Sequence, residues 1–481
     1  MSTAVAMEDS RPTRRDVVKG SAAAGAAGLA GLAGCTQGGN NGGDSGGDSG
    51  GGGDSGGDSG GDSGGDGDGG GEEYPAIGNF PVEGDTVTFG FNVPQSGSYS
   101  QEGEDELRGY DLAKQHLNNG GGWVDDWEDL SGDGVLGYTV ESVYGDTATD
   151  PDTARQSASR MISRDDAIMI TGGSSSGVAI AVQELCQQEK VQFMCCLTHS
   201  NDTTGSACVR YTFREMFNAY MTGQALAPVV RDAYGEDLNF YQLYADYTWG
   251  QTQQASMNQF FTDVAGWNQI DSVATPLGTS DYSSYLSDVP DDADVLVLNH
   301  YGLDAANSLP QAIEAGLDEQ LEIIVPLYNR LMAQAAEGSI EGIFGTADWN
   351  WKLEDEYAQS FTEAFQDEFG QPPSYAARLA YTQTLQYAAA AERAGTFYPP
   401  EVIRELEDYE YNNAGLGEEN MRACDHQAFR DVLVVQGKAS GERESEFDLL
   451  NVVNQTARAD LGYECDSGPA AECELGEYGD E

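Results

Sequence analysis

Positive charge is what this 481-residue sequence has least of: 23 Lys and Arg stand against 81 Asp and Glu, for a net charge of −58. A chain so short of cations has no basic footprint for phosphates, which excludes a duplex nucleic-acid partner. It is also a poor match for an anionic membrane surface. Histidine is scarce too, with four residues spread far apart, and the cysteine spacing fits no standard zinc pattern. No metal and no cofactor is therefore expected. No apolar run reaches the ~18 residues that a membrane-spanning helix needs.

Acid and glycine are abundant instead. Self-repulsion of this size destabilises a compact state at low salt. At molar salt the Debye length falls to ~3 Å and the repulsion is screened. With lysine rare and arginine carrying most of the positive charge, the balance resembles that of extreme halophiles, and a salt-loving archaeal source is expected.

The N-terminus carries the most specific local signals. Thr13-Arg14-Arg15-Asp16-Val17-Val18-Lys19 resembles a twin-arginine export motif, and an Ala/Gly/Leu segment follows it. Leu32-Ala33-Gly34-Cys35 looks like a lipobox with Cys35 as the lipidated residue. Residues 1–35 thus read as a lipoprotein signal. Residues 36–73 repeat Asp-Ser-Gly-Gly with nothing apolar to bury, and read as a disordered tether. The expected location is the extracellular face of the cell membrane, lipid-anchored after export by the twin-arginine route. Seven further cysteines enter an oxidising space, where some pairing is expected. Cys465 with Cys473, and Cys195 or Cys196 with Cys208, are the pairs suggested by proximity along the chain, with an odd thiol left over.

From Thr86 onward strand and helix signals alternate. TVTFGFNV (86–93), AIMITGG (167–173) and VQFMCCL (191–197) read as strands, and DELRGYDLAKQHLN (105–118) as an amphipathic helix. Asp150-Pro151 is a ready helix start. A second series includes NFYQLYAD, VLVLNHY and LEIIVPL as strands, with AANSLPQAIEAG as a helix broken near its first turns by Pro310. Two successive α/β series imply two doubly wound domains with parallel sheets. Ligands in such sheets sit at the carboxyl ends of the strands. Those ends here carry VPQSGSYSQEG, TGGSSSG, CCLTHSND, YADYTWG, LNHYG and VPLYN, a lining rich in hydroxyls and aromatic rings.

The run Gly173-Ser174-Ser175-Ser176-Gly177 also satisfies the Gly-x-Ser-x-Gly pattern of a hydrolase elbow. A secreted esterase or amidase using Ser175 would need a histidine, from His199, His300 or His426, and a separate oxyanion loop, for which no Gly-rich partner motif is present. The alternative is a helix N-terminus whose amides and hydroxyls hold a ligand's oxygen. A third possibility is a turn whose serines only cap the helix.

Taken in order, FGFNVPQSGSYSQEGEDELRGYDLAKQHLNNGGG, YGDTATDPDTARQSASRMISRDDAIMITGGSSSGVAIAV, DYTWGQ and CDHQAFRDVLVVQGK resemble periplasmic-type binding proteins of the branched-chain amino-acid class. The resemblance implies an α/β fold of two Rossmann-like lobes on parallel central sheets, joined by a three-segment hinge and closing over a ligand. It places lobe one at 85–214 and 344–416, lobe two at 215–343 and 421–454, and leaves 455–481 as an acidic C-terminal tail. It implies a non-enzymatic, monomeric solute-binding component of an ABC importer, with a membrane permease as partner. The ligand would be a branched-chain or other amino acid, urea or a short-chain amide, with carboxylates also open. An extracellular ligand-sensing domain is the alternative.

Carried over residue by residue, the resemblance makes Ser174, Ser175 and Ser176 candidates for a ligand carboxylate. It puts Thr198 and Ser200 at the pocket, with Trp249, Tyr301 and Tyr328 as aromatic walls and Tyr99 in the first ligand loop. Amino-acid binders of the class carry an acid after the strand LEIIVPL, where this sequence has Tyr328. Asp246 or Glu102 would have to substitute. Trp349 and Trp351 fall near the third crossover, where hinge packing is the favoured reading.

Overall fold

The computed structural model describes residues 74–336 and 338–480. The export motif, Cys35 and the 36–73 tether lie outside the described residues. The first series runs β1 (Thr86–Val93), α1 (Ser100–Asn119), β2 (Thr139–Asp146), α2 (Pro151–Arg164), β3 (Met169–Gly172), α3 (Ser176–Glu189), β4 (Gln192–Cys195) and β5 (Thr212–Arg214). Its strands form a wholly parallel sheet in the order β2-β1-β3-β4-β5. Phe89, Phe91 and Val93 of β1 and all of β3 and β4 are buried, as expected for a sheet covered on both faces. The Asp150 carboxylate accepts the Thr153 amide at 2.8 Å and Pro151 follows it, so α2 starts where the Asp-Pro pair places it.

The second series runs α4 (Ala219–Tyr234), β6 (Asn239–Ala245), α5 (Thr248–Asp263), β7 (Asn268–Thr275), α6 (Ser283–Ser287), β8 (Val295–Asn299), α7 (Leu303–Glu314), β9 (Glu322–Leu327), α8 (Arg330–Ala335) and β10 (Phe344–Ala347). Then come α9 (Glu356–Phe369), α10 (Tyr375–Ala394) and α11 (Pro399–Leu406), a small sheet of β11 (Tyr409–Tyr411), β12 (Glu419–Met421) and β13 (Ala428–Phe429), and finally β14 (Val432–Gly437) and β15 (Leu450–Thr456). The second large sheet has the order β15-β14-β10-β9-β8-β6-β7, parallel except for the antiparallel pairings of β14 with β10 and β15. Helix α10 packs on α1, which places it in lobe one.

Several details differ from the sequence reading. β10 is hydrogen-bonded between β9 and β14, so the chain leaves lobe two after Ala347 and not at 344. A four-residue strand reading FGTA carries too little pattern to be placed from sequence. The return into lobe two begins at β14, because β12 pairs only with β11 and β13. Helix α7 is not broken at Pro310; it runs from Leu303 through it to Glu314. Buried Leu309 and Ala312 hold the helix against the core across the missing amide.

The cysteines also pair differently. The bonds are Cys208–Cys473 and Cys424–Cys465, while Cys186, Cys195 and Cys196 are buried free thiols. Proximity along the chain misled because the C-terminal segment folds back on lobe one. Arg210 donates to the Gly476 carbonyl at 3.1 Å, and the Tyr211 hydroxyl to the Tyr478 carbonyl at 2.6 Å.

Three crossings join the lobes, and a buried charge network ties them. Glu215 follows β5, Asp348 follows β10, and Arg430 lies between β13 and β14. Arg430 reaches Glu215 at 3.0 Å and Asp348 at 3.1 Å. Arg378 of α10 pairs with Glu215, reaches Asp348 at 3.4 Å and lies 3.8 Å from Glu419 of β12. All five side chains are buried. Trp349 is also buried beside this crossing and packs edge-on to Phe361, with ring centroids 5.7 Å apart.

Candidate ligand-binding site

The carboxyl ends of β1, β3 and β4 in lobe one face those of β6, β8 and β9 in lobe two, and the loops after them meet. The Leu303 amide donates to the Ser98 carbonyl at 3.0 Å. Gly302 makes this approach feasible. It has φ +56°, and a Cβ there would lie 2.5 Å from the Tyr99 ring and 2.7 Å from the Ser98 oxygen. The Tyr99 and Tyr247 hydroxyls are hydrogen-bonded at 2.5 Å. Ser200 shares hydrogen bonds with Thr248 at 2.9 Å and Thr252 at 3.2 Å, both on α5. The lobes are thus drawn together.

The three serines divide their roles. Ser174 donates to the Glu106 carboxylate. Ser176 accepts the Ser200 amide at 3.1 Å and the His199 amide at 3.4 Å, so it braces the neighbouring loop. Ser175 is the N-cap of α3 in extended conformation, is buried, and makes no side-chain capping bond. Of the three it alone keeps an uncommitted hydroxyl among the described residues. Thr198 is committed internally, donating to the Gly173 carbonyl at 2.8 Å.

In lobe two, Trp249 begins the buried face of α5. Its ring lies 6.1 Å from Tyr301 and 6.4 Å from His199, and its Nε1 has no partner. Tyr99 packs edge-on to Tyr301 at 5.3 Å. The Tyr301 hydroxyl accepts from Asn329 at 2.9 Å and from Tyr375 at 3.0 Å. Asn329, the N-cap of α8, also donates to Glu102 at 3.2 Å. The structure therefore links Tyr99, Glu102, Trp249 and Tyr301 where the lobes meet, joins Ser174 to α1 through Glu106, and sets Ser175 at the start of α3. Tyr328 is buried beside β10 and makes no ring contact with this group. Asp246 is exposed and accepts from Gln251, so of the two acids considered as substitutes only Glu102 is at the cleft.

Sequence reasoning missed Glu106, Asn329 and Tyr375. A signal for Glu106 was present: Glu102 and Glu106 are one turn apart and continue the face that carries Tyr110, Ala113 and Leu117 into the core. Acids on the buried face of an amphipathic helix are unusual enough to mark a site. Burial pushes the Glu102 carboxyl up to about 7 and the Glu106 carboxyl up to about 8. Burial, with the nearby Arg214 charge adding to it, holds His199 well below its ordinary value, so it is neutral. Its Nε2 bonds to Thr222 at 2.8 Å, and its ring packs edge-on to Phe217 with centroids 4.7 Å apart. Among the described residues no group of His, Cys, Asp and Glu is arranged to hold a metal.

A recess of about 810 Å³ lies elsewhere, at the amino ends of β8 and β9, lined by Ser280, Asp281, Leu286 and Gln311 among others. None of its lining side chains has a buried unpartnered polar atom. Near the strand ends, by contrast, Glu102, Glu106 and Trp249 each keep a buried polar atom without a hydrogen-bond partner. Buried polar atoms without partners are rare in native proteins and call for an explanation at each occurrence.

Two α/β lobes, three crossings and a cleft at the strand ends define a two-lobe binding protein. Residues 86–442 match the periplasmic binding protein family, and the chain belongs to it. The Leu/Ile/Val-binding protein homolog 7 of Brucella abortus (strain 2308) is 28% identical over 256 residues, covering 50% of this chain and 58% of the relative. The chain thus spans less than two thirds of that relative's length. Among solved structures, an amino acid ABC transporter substrate-binding protein from Pseudomonas fluorescens Pf-5 superposes with TM-score 0.72 at 21% identity, over 82% of this chain and 100% of that one. A solute binding protein from R. palustris in complex with 4-hydroxybenzoate gives 0.67 at 18% identity, over 78% and 98%. The fold is that of type I periplasmic binding proteins.

Proposed function

We propose that this chain is the extracellular solute-binding component of an ABC importer, capturing a small polar metabolite between its lobes and delivering it to a membrane permease. The observation that carries this reading is the meeting of strand-end loops from both lobes, beside which Glu102, Glu106 and Trp249 each keep a buried polar atom without a partner. A ligand held there would satisfy them and would favour the closed arrangement through its differential affinity. Ser175, at the N-terminus of α3, is the donor available to a ligand oxygen, and Trp249, Tyr99 and Tyr301 are the walls. Hydrolysis is disfavoured: among the described residues Ser175 has no hydrogen bond to a histidine, and His199 is engaged with Thr222. The names of the family relatives, which speak of Leu/Ile/Val and amino acid binding, support an amino acid or related nitrogen compound as ligand.

Export by the twin-arginine route and anchoring through lipid on Cys35 complete the proposal. Cys35→Ser is expected to release the protein into the medium, and Arg14→Lys with Arg15→Lys to retain it in the cell. The binding reading is tested by thermal shift at molar salt against amino acids, urea, amides and small carboxylates. A ligand at 100 times its Kd adds ~2.7 kcal/mol of stability. No shift with any of them, nor with small amines such as putrescine and agmatine, would defeat the reading.

A further inference from the structure

Glu102 and Glu106 sit side by side on α1 with no cation to balance them. Each spends one oxygen within the protein: Glu102 on the Asn329 amide and Glu106 on the Ser174 hydroxyl. The second oxygen of each is buried and unpartnered. The arginines nearby are engaged otherwise. Arg108 reaches Asp105 at 3.4 Å, and Arg330 donates to Gln334 at 3.1 Å and the Pro372 carbonyl at 3.0 Å. Two adjacent buried carboxylates without a counter-charge are costly. The cleft's other ends add no positive charge, since His199 is neutral and Ser175 and Trp249 offer only neutral donors. What the site does offer beside the acids is aromatic: Tyr99 and Tyr301 pack edge to face, and Trp249 stands next to Tyr301 with its own indole nitrogen unpartnered. Such walls suit a cation.

We propose that Glu102 and Glu106 form a cation-receiving subsite, and that the ligand is a net-positive nitrogen compound. Its guanidinium or paired ammonium groups would donate to both free carboxylate oxygens. The inference rests on the cleft being the ligand site. It narrows the ligand class sharply. Urea, neutral amides and neutral amino acids leave the pair undercompensated, and an aromatic carboxylate such as the one bound by the R. palustris neighbour would be repelled.

The other titratable groups facing the pair are Asp105 on α1, Tyr99 before it, Tyr110 on α1, Cys195 at the end of β4 and Cys196 after it, Tyr301 after β8 and Tyr375 on α10. Burial pushes the tyrosines and the two thiols up, so they stay neutral between pH 6 and pH 9. Asp105 is held by the Ser374 amide at 2.8 Å and by Arg108. The Glu pair therefore governs the pH response. A cation binds its ionised form, so affinity is expected to tighten by about tenfold or more from pH 6 to pH 9.

The experiment is calorimetry in molar KCl with agmatine, L-arginine and putrescine as cations, L-leucine and acetamide as neutral probes, and 4-hydroxybenzoate as anion. The expected result is binding of at least one cation, with proton release at pH 7.5 and no comparable affinity for the neutral or anionic probes. Glu106→Gln and Glu102→Gln should each weaken it about 30-fold or more, the scale of losing one partner of a buried charge pair. If a variant fails to fold, the proton release and pH profile of the unaltered protein decide. Preference for leucine, acetamide or hydroxybenzoate, or cation binding that neither glutamine variant weakens, would overturn the cation subsite and leave the binding-protein reading standing. Silence from every probe class would overturn both.

Discussion

The cleft and the hinge both bury carboxylates, and they treat them in opposite ways. At the hinge Glu215, Asp348 and Glu419 surround two guanidiniums, so three acids meet two permanent cations. At the cleft Glu102 and Glu106 meet only an amide and a hydroxyl. The same desolvation penalty applies to both sets, so burial does not distinguish them. Compensation does. A network in which two guanidiniums answer three acids holds three separate chain crossings in one geometry. One left incomplete, at a place where two lobes meet, requires something from outside.

The hinge is where breaking this contrast should cost most. Arg378→Met removes one of the two cations and leaves Arg430 alone against three buried acids, which should destabilise the protein by about 3–5 kcal/mol in urea unfolding at molar salt. A loss below 1 kcal/mol would mean that the hinge network contributes little.

The cleft should respond with the opposite sign. The Glu106 carboxyl, raised from 4.5 to about 8 in the folded state, takes up a proton on folding. Its contribution is present below pH 4.5 and is lost as pH rises towards 8, at up to about 1.4 kcal/mol per pH unit. Glu106→Gln should therefore flatten the stability profile of the empty protein. It should raise Tm by a few degrees at pH 8 and leave it unchanged at pH 4.5. An unchanged profile would mean that Glu106 is solvated in the free protein.

Smaller effects sharpen the role of closure. Gly302→Ala places a methyl group against Ser98 and Tyr99 at positive φ, a strain of about 1–2 kcal/mol. Ligand affinity should fall roughly tenfold, while far-UV circular dichroism is unaltered. Ser200→Ala removes the hydroxyl that bridges to Thr248 and Thr252, and about 0.5–1.5 kcal/mol of closed-state stability with it. Its trace should be a faster ligand off-rate in stopped-flow fluorescence.

Much of the fold is legible in local pattern. The alternation of strand and helix, the Asp150 cap and the family motifs led to two lobes and to the loops that line the cleft. The site was legible only in part. Trp249, Tyr301, Tyr99 and Glu102 meet where the lobes do, and Ser175 begins α3, but Ser176 and Thr198 bind neighbouring loops and Tyr328 lies apart. A polar residue in a β-α turn has two uses, satisfying the backbone beside it or facing a ligand, and both read alike in sequence. Asn329 and Tyr375 come from α8 and α10, which no local pattern links to α1.

What the sequence by itself determined is the alternation of elements, the parallel sheets they require and the surplus of acid, because hydrophobic periodicity, capping and composition are local or additive. The tertiary structure decided which acids are buried, which of them receive an arginine, which cysteines pair and where the lobes cross. Those outcomes depend on groups separated by up to several hundred residues. Glu106 and Ser174, or Cys208 and Cys473, become neighbours only once both lobes and the returning C-terminal segment are in place.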